Sequence, residues 1–124
     1  MAKILIIEDN ATNMKLTTML LARVGHGVLQ AVDAETGLAL ALSDHPELIL
    51  MDLQLPGMDG LAATTRLKHC PVTANIPVVA LTALAMKEDR AKALAAGCDA
   101  YIAKPIQYQE LYTTINTLLA GTQT

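Results

Sequence analysis

The sequence contains no tryptophan or phenylalanine, and only three of its 124 residues are tyrosines. The apolar residues, 52% of the chain, are therefore mainly leucine, alanine, isoleucine, valine and methionine. No apolar run approaches the roughly 20 residues of a membrane-spanning helix, and the N-terminus lacks a signal-peptide layout. The length suits one domain with a single continuous core. We therefore expect one globular, cytoplasmic domain over residues 1–124, with no membrane partner.

Basic residues and cysteines are also scarce. The 9 lysines and arginines stand against 12 acidic residues, for a net charge of −3. Because no basic cluster could follow a phosphate backbone, we expect no direct binding to nucleic acid. Cys70 and Cys98 lack the spacing of metal ligands, which predicts free thiols in a reducing cytosol. A regulatory disulfide is the alternative.

Five short apolar segments alternate with five helical ones. The predicted strands are residues 3–7, 28–31, 48–51, 76–81 and 100–103. The first predicted helix is capped by Asn10 or Asp9 and stopped by Gly25. The others run over residues 34–43, 60–69, 86–96 and 107–119, before a polar tail at 121–124. Strands that alternate with helices predict an α/β fold, with a five-stranded parallel sheet and helices on both of its faces.

The first helix carries several candidate inward-facing residues. Leu16, Leu20 and Val24, with Leu21 beside them, predict its buried stripe. Met14 and Met19 lie away from the centre of that stripe, and exposed methionines suit the docking of a partner. Packing of Met14 at the edge of the core is an equal alternative.

The organising stretch is the uninterrupted apolar run at 48–51, typical of a strand buried on both faces. It ends in Asp52, after which Pro56 and Gly57 force a loop and Asp59 can cap the next helix. Open α/β sheets hold their ligands beyond the carboxyl ends of the strands. We therefore expect the functional site around Asp52.

Polar residues stand where the other strands end. They are Glu8 and Asp9 after the first strand, Thr82 at the end of the fourth, and Lys104 after the fifth. Each taken singly could be a helix cap or a surface charge, but a parallel sheet brings them to one edge. Three carboxylates there repel one another and persist best around a cation. Oxygen ligands favour a hard cation, and Mg²⁺ is usual where phosphate is handled.

The same edge contains groups that could bind a phosphoryl group. Lys104 adds a positive charge, and the hydroxyl of Thr82 with the backbone N–H that follows it could bind phosphoryl oxygens. Such fixed groups suit in-line phosphoryl transfer, in which charge on the equatorial oxygens must be neutralised. Asp52, on the central strand, is the candidate nucleophile.

These residues belong to recognisable motifs. In chain order the motifs are Glu8-Asp9-Asn10, Leu50-Met51-Asp52, Leu55-Pro56-Gly57-Met58-Asp59-Gly60, Leu81-Thr82-Ala83 and Lys104-Pro105. Through them the chain, from Lys3 to about Leu119, resembles the receiver domain of two-component response regulators. The stretches 13–16, 82–87 and 97–106 further resemble DivK-like single-domain regulators. The resemblance implies a doubly wound, flavodoxin-like (CheY-like) sheet with strand order 2-1-3-4-5.

The resemblance also implies a phosphorylation site. Asp52 would accept a phosphoryl group from a phosphohistidine on a histidine kinase or histidine phosphotransfer protein. Asp9, Asp52 and the backbone carbonyl of Gln54 would hold Mg²⁺, and Glu8 would assist through water. Lys104 would contact the phosphoryl group, and the peptide bond from Lys104 to Pro105 would be cis, a form that X–Pro bonds adopt at modest cost.

Further residues are implicated by the same likeness. The backbone N–H groups of Leu53 and Ala83 would bind phosphoryl oxygens, as would Thr82, which would move towards them. Tyr101 would be the switch aromatic that turns inward on activation. Gln54 and Leu84 would flank the path of the hydrolytic water, and slow hydrolysis is expected because Leu84 cannot orient water. Simple packing of Leu84 is the alternative.

The expected output is regulatory. By resemblance the protein is not a classical enzyme and catalyses only its own phosphorylation and dephosphorylation. A downstream protein would bind the face made by the fourth helix, the fifth strand and the fifth helix. We expect a monomer or a weak phosphorylation-dependent dimer, and a stand-alone chain rather than a fragment cut from a larger protein.

Two other classes fit the sequence less well. A metal-dependent phosphohydrolase usually needs a second acid two residues after its nucleophile, and that position is Gln54. A flavodoxin-like cofactor binder would need a hydroxyl- and glycine-rich loop after the first strand, where phosphate sits at a helix N-terminus. The sequence has no such loop.

Overall fold

The structure, a computed structural model, describes residues 2–83 and 87–122. Over these residues, five strands alternate with five helices. The elements are β1 (Lys3–Ile7), α1 (Ala11–Arg23), β2 (Gly27–Ala31), α2 (Ala34–Asp44), β3 (Leu48–Asp52), α3 (Gly60–His69), β4 (Val78–Thr82), α4 (Lys87–Ala96), β5 (Ala100–Ala103) and α5 (Tyr108–Thr122). The strands form one parallel sheet in the order β2-β1-β3-β4-β5, which confirms the predicted fold.

Helices cover both faces of the sheet. Alternate residues of its strands point to opposite faces, so the core is divided into two clusters. One core cluster joins the sheet to α2, α3 and α4, and its members include Leu5, Ile7, Ile49, Met51, Ala34, Ala41, Ala63, Leu67 and Ala93. The other joins it to α1 and α5, and its members include Ile4, Ile6, Leu48, Leu50, Met14, Leu21, Leu111 and Ile115. The central strand β3 is buried along its whole length, as its apolar run predicts.

Helix boundaries follow local capping chemistry. The side chains of Asn10, Asp33 and Asp59 each accept a hydrogen bond from the backbone N–H three residues later, which satisfies a donor that the first turn leaves unpaired. Gly25 and Gly97 adopt positive φ angles of 88° and 110° just beyond α1 and α4, where a left-handed residue ends a helix.

The start of β4 and the end of α5 differ from the sequence prediction. β4 begins at Val78 rather than at residue 76, because the N–H of Ile76 bonds to Thr73 in the preceding turn and Pro77 has no N–H to donate. α5 continues to Thr122, beyond the predicted end at residue 119, so Gly121 lies within the helix instead of in a polar tail. The predicted start of the fourth helix, at residue 86, lies outside the described residues.

The predicted inward stripe of α1 is wrong in two places. Leu16 is 44% exposed and Val24 is 40% exposed, and α1 itself ends at Arg23. The buried line instead runs through Met14, Thr17 and Leu21, at helical spacings of three and four residues. The polar side chain of Thr17 concealed this register in the sequence. Met14 therefore belongs to the core.

Two of the tyrosines pack together on the α1–α5 side. The rings of Tyr108 and Tyr112 meet edge to face, with centroids 6.0 Å apart. The hydroxyl of Tyr112 donates a 2.7 Å hydrogen bond to the carbonyl of Leu20 and so ties α5 to α1. The Tyr112 ring therefore packs against another aromatic ring, and its hydroxyl has the hydrogen-bond partner that a partly buried tyrosine usually finds.

Both cysteines are free thiols, as predicted. Cys98 is buried, with its Sγ 3.8 Å from the hydroxyl of Thr64, and burial is the main cause that raises the pKa of its thiol. None of the helices in the described segments is long and apolar enough to cross a bilayer.

Gly60 allows α3 to start directly against the end of β3. A Cβ atom at this position would overlap the carbonyl oxygen of Asp52 and would lie 2.7 Å from the Cα of Leu53. Both neighbours are backbone atoms, so no side-chain rotation could relieve the overlap. The position therefore requires glycine for space and holds α3 close to Asp52.

We expect Gly60→Ala to destabilise the fold by about 1–3 kcal/mol, as overpacking does, although alanine is the better helix former. Urea unfolding should show a lower midpoint with an unchanged slope. Gly27→Ala is the control, because its Cβ would meet nothing closer than the Ala2 carbonyl oxygen at 3.9 Å. Equal stability of Gly60→Ala and wild type would contradict the close approach.

Candidate functional site

Three charged side chains converge at the carboxyl edge of the sheet. Asp52 is the last residue of β3, Glu8 follows β1, and Lys104 follows β5. The Nζ of Lys104 lies 2.8 Å from Oε1 of Glu8 and 3.4 Å from Oδ1 of Asp52. The side chains of Glu8 and Asp52 are only 1% and 2% exposed, and that of Lys104 is 15% exposed. The sequence prediction that these strand ends meet is thus matched by the geometry.

Backbone hydrogen bonds fix the loops that carry these residues. The N–H of Glu8 donates to Ala31, and the N–H of Lys104 donates to Thr82, at 2.9 and 2.7 Å. The peptide bond between Lys104 and Pro105 is cis, as expected. The two hydrogen bonds extend the ladder of the sheet by one residue beyond β1 and β5, and so fix the backbone positions of Glu8 and Lys104.

The loop after β3 orients the Asp52 carboxylate. The N–H of Gln54 donates a 2.9 Å hydrogen bond to Oδ1 of Asp52. The N–H of Leu53, which we expected to face a phosphoryl group, instead donates to the carbonyl of Leu81 at 2.9 Å. Because Leu53 continues the β3–β4 ladder, its N–H is not available as a phosphoryl donor in this arrangement.

Asp9 completes an acidic cluster with Glu8 and Asp52. One carboxylate oxygen from each of the three residues lies within 4.8 Å of the other two. Glu8 and Asp52 are buried and Asp9 is exposed, so the cluster opens to solvent on one side. Within the described part of the chain, Oε1 of Glu8 has the Lys104 charge beside it but accepts no well-aligned hydrogen bond. Oxygen donors that include an unsatisfied buried oxygen fit a hard divalent cation.

The two buried carboxylates have pKa values that shift in opposite directions. Burial first, and then the adjacent Asp52, raise the pKa of Glu8 to about 7 against the opposing effect of Lys104. Burial acts the same way on Asp52, but the hydrogen bonds from Glu8 and the Gln54 N–H, together with Lys104, lower its pKa overall. Below about pH 7 the metal-free protein therefore carries its proton on Glu8, and Asp52 is ionised.

Thr82 and Tyr101 are in contact on the β4–β5 side of the site. Thr82 is buried at the end of β4. Burial and the charge of Asp89 raise the pKa of Tyr101, whereas a side-chain hydrogen bond with Thr82 and the nearby Arg90 lower it. The guanidinium carbon of Arg90 lies 5.6 Å from the centre of the Tyr101 ring. The sequence identified the Thr82–Tyr101 pair but missed Arg90, whose contact depends on how α4 packs over β5.

Gln54 also reaches across the site with its side chain. Its Oε1 accepts a 3.4 Å hydrogen bond from the backbone N–H of Ala83. Gln54 and Ala83 therefore lie together at the mouth of the site, as the predicted roles of both residues require. Leu84, the other residue assigned to the hydrolytic water, lies outside the described residues.

A groove of about 350 Å³ lies beside the acidic cluster, between α1 and the end of β2. Its lining includes Glu8, Asp9, Lys15, Met19 and Val32. Met19 and Val32 are each 60% exposed. Of the two methionines assigned to α1 docking, Met19 is the surface residue, while Met14 contributes from the core. Val32, just after β2, was missed because a single apolar loop residue has no sequence signature.

Residues 4–116 match the sequence model of the response regulator receiver domain. The chain belongs to this family. Receiver domains are phosphorylation-dependent signalling switches that bind Mg²⁺ in an acidic site, and the family is a signalling family rather than a classical enzyme family.

Named relatives support the assignment to the receiver family. The chain is 42% identical over 116 residues to the polar-differentiation response regulator DivK of Brucella ovis, with 94% of each chain covered. It is 38% identical over 121 residues to the protein PilH of Pseudomonas aeruginosa, with 98% of this chain and 100% of that one covered. The resemblance to DivK-like regulators seen in the sequence is thereby confirmed.

Solved receiver structures share the fold. A putative response regulator from Chloroflexus aurantiacus superimposes with a TM-score of 0.93 at 29% identity, covering 96% of this chain and 98% of that one. The receiver domain of a sensor histidine kinase from Pseudomonas aeruginosa superimposes with a TM-score of 0.90 at 32% identity, with the same coverage. That receiver holds a magnesium ion in its active-site cleft.

We expect the raised pKa of Glu8 to make the metal-free receiver less stable as the pH rises. The unfolded chain releases the Glu8 proton near its ordinary value of 4.5, whereas the folded protein keeps it up to about 7. Between these values the folded state binds more protons, so the free energy of unfolding falls by up to about 1.4 kcal/mol per pH unit. Urea unfolding in EDTA from pH 5 to pH 8 measures this slope.

Glu8→Gln should remove that component of the slope, and the exposed Glu110→Gln should leave it in place. Comparison with wild type also cancels the contribution of His26 to the slope, because His26 is present in both proteins. Its pKa is lowered mainly by burial. Parallel pH profiles for wild type and Glu8→Gln would show that Glu8 is not the group that holds the proton.

Proposed function

We propose that residues 1–124 form one receiver domain in which Asp52 accepts a phosphoryl group from a phosphohistidine. The observation that carries this proposal is the placement of Asp52, buried yet ionised, between Lys104 and the acidic pair Glu8 and Asp9. An ionised carboxylate is the nucleophilic form, and a fixed lysine can neutralise the incoming phosphoryl oxygens.

The chemical step is a transfer of the phosphoryl group between two nucleophiles. A carboxylate oxygen of Asp52 forms a bond to phosphorus as the bond from phosphorus to the donor's imidazole nitrogen breaks. The nitrogen leaves with the bonding electron pair, and the product is an acyl phosphate on Asp52. The ammonium of Lys104 and the hydroxyl of Thr82 stabilise the charge on the equatorial oxygens.

Asp9, Asp52 and the backbone carbonyl of Gln54 would hold Mg²⁺, and Glu8 would assist through water. The bound ion supplies positive charge that offsets the phosphoryl oxygens and the crowded carboxylates. The unsatisfied Oε1 of Glu8 and the three-carboxylate cluster support this set. Glu8 must release its proton to take part, because metal ligands bind in their deprotonated form.

Phosphorylation would be transmitted through Thr82 and Tyr101. Movement of Thr82 towards the phosphoryl group changes the hydrogen bond and the space available to the Tyr101 ring, which then turns inward. A partner that prefers one of the two arrangements is thereby controlled by the phosphoryl group. The existing contact between the two side chains supports this route.

Two separate surfaces would serve two partners in the cytoplasm. The donor, a histidine kinase or histidine phosphotransfer protein, would approach along α1 and the groove that contains Met19. The downstream protein would bind the face made by α4, β5 and α5, where Tyr101 lies, and the receiver acts as a monomer or a weak phosphorylation-dependent dimer. Slow loss of the phosphoryl group, tuned by Gln54 and Leu84, would set how long the signal lasts.

We expect Asp52→Asn to abolish phosphorylation while preserving the fold. An amide has the shape of the carboxylate but lacks its nucleophilic oxygen, and removal of one charge relieves repulsion within the acidic cluster. Incubation with acetyl phosphate and Mg²⁺, followed by intact-mass measurement, should show one labile phosphate on wild type and none on the variant.

Asp44→Asn, which changes a half-buried carboxylate at the end of α2, away from the acidic cluster, is the matched control and should label like wild type. Wild type should not label when EDTA removes Mg²⁺. Full labelling of Asp52→Asn would show that another residue is the acceptor.

We expect the two surfaces to be separable by mutation. Tyr101→Ala should weaken binding of the downstream partner about tenfold, a typical loss for a buried aromatic anchor, and leave transfer from the donor nearly intact. Met19→Asp should slow transfer about tenfold, because it places a charge in an apolar contact, and leave partner binding intact. Rapid-quench transfer kinetics and calorimetric titration measure the two effects.

Leu42→Asp serves as the control, since Leu42 is an exposed leucine on α2, away from both surfaces. It should change neither measurement. Equal damage to both measurements by Tyr101→Ala and Met19→Asp would overturn the two-surface arrangement.

A further inference from the structure

Gln54 contacts the site through both its backbone and its side chain. Its backbone N–H donates to Oδ1 of Asp52 at 2.9 Å, and its side-chain Oε1 accepts from the N–H of Ala83 at 3.4 Å. Gln54 thus connects two loops. One follows Asp52 at the end of β3, and the other follows Thr82 at the end of β4. The contact to Ala83 is exposed to solvent, so the side chain can leave it without opening the core.

The Ala83 N–H is also a donor that the likeness to receiver domains assigns to a phosphoryl oxygen. A single N–H donates one good hydrogen bond, so an amide oxygen and a phosphoryl oxygen compete for it. Leu53 offers no substitute, because its N–H is used by Leu81. Of the two backbone donors assigned to the phosphoryl group, the one that remains is therefore occupied before the group arrives.

We infer that the Gln54 side chain is a placeholder for a phosphoryl oxygen, which the phosphoryl group on Asp52 displaces from the Ala83 N–H. This inference rests on the proposed function and adds a positioning role to it. Displacement is favourable because an anionic oxygen accepts a stronger hydrogen bond than a neutral amide does. In the unphosphorylated protein the placeholder satisfies the Ala83 N–H and holds the two loops together.

The placeholder has a consequence for affinity. Each phosphoryl group, or an analogue of it, must first break the Gln54–Ala83 hydrogen bond. A side chain of similar length without an acceptor oxygen removes that competition. Gln54→Met should therefore bind a phosphoryl analogue more tightly than wild type, about two- to tenfold, the range expected for one hydrogen bond.

The experiment uses the beryllium trifluoride anion, an analogue of a phosphoryl group on a carboxylate, with the full chain at saturating Mg²⁺. Nitrogen–proton NMR follows the Ala83 amide in wild type, in Gln54→Met and in the control Gln109→Met, an exposed glutamine on α5. Without the analogue, the Ala83 amide should exchange with water at least about twofold more slowly in wild type than in Gln54→Met. Titration then gives the affinity of each protein, and Gln109→Met should match wild type in both measurements.

The outcomes distinguish failure of the placeholder role from failure of the proposed function. If wild type binds the analogue but Gln54→Met shows unchanged Ala83 exchange, or an affinity no higher than wild type, the placeholder is overturned and the proposed function stands. If wild type does not bind the analogue at all, the proposed function fails and the placeholder fails with it. Slower exchange in wild type together with tighter binding by Gln54→Met establishes the placeholder.

Discussion

The ion pairs of Lys104 with Glu8 and Asp52 are the interaction on which the site depends. The lysine opposes the burial and mutual repulsion of the two carboxylates, because its charge lowers the pKa of both. The pKa of Glu8 is nevertheless raised to about 7, whereas that of Asp52 falls below its ordinary value, so Asp52 keeps its charge. The hydrogen bond from the Lys104 N–H to the carbonyl of Thr82 fixes the backbone from which this side chain starts. The reactive form of Asp52 is therefore produced by three separate strands acting at one edge.

The sheet itself was predictable because its determinants are local. Unbroken apolar runs marked the central strands, and the capping residues Asn10, Asp33 and Asp59 sat where the helices start. The convergence of Glu8, Asp52 and Lys104 followed from parallel topology alone. The inward stripe of α1 was mispredicted because Thr17, a polar residue, occupies a core position. The Leu53 N–H and the Gln54–Ala83 bond depend on how loops close over the sheet, and no period or motif in the sequence encodes that closure.

The order of the strands in the sheet keeps the two proposed partner surfaces apart. α1 and α5 pack on one face and α2, α3 and α4 on the other, in two core clusters separated by the sheet. The groove beside α1 lies next to β2, at one end of the strand order, while Tyr101 is on β5 at the other end. Asp52, on the middle strand, is between them. A donor on one side and a target on the other can therefore both depend on the same carboxylate.

The scarcity of aromatic residues gives the switch an optical property. Without tryptophan or phenylalanine, all near-ultraviolet absorption by aromatic side chains comes from three tyrosines. Two of these, Tyr108 and Tyr112, form a pair anchored to the Leu20 carbonyl on the α1–α5 side. The third, Tyr101, lies against Arg90 and Thr82. A change in the surroundings of Tyr101 alters one of only three chromophores, so the near-ultraviolet circular dichroism of the unlabelled protein would report the proposed movement of that ring.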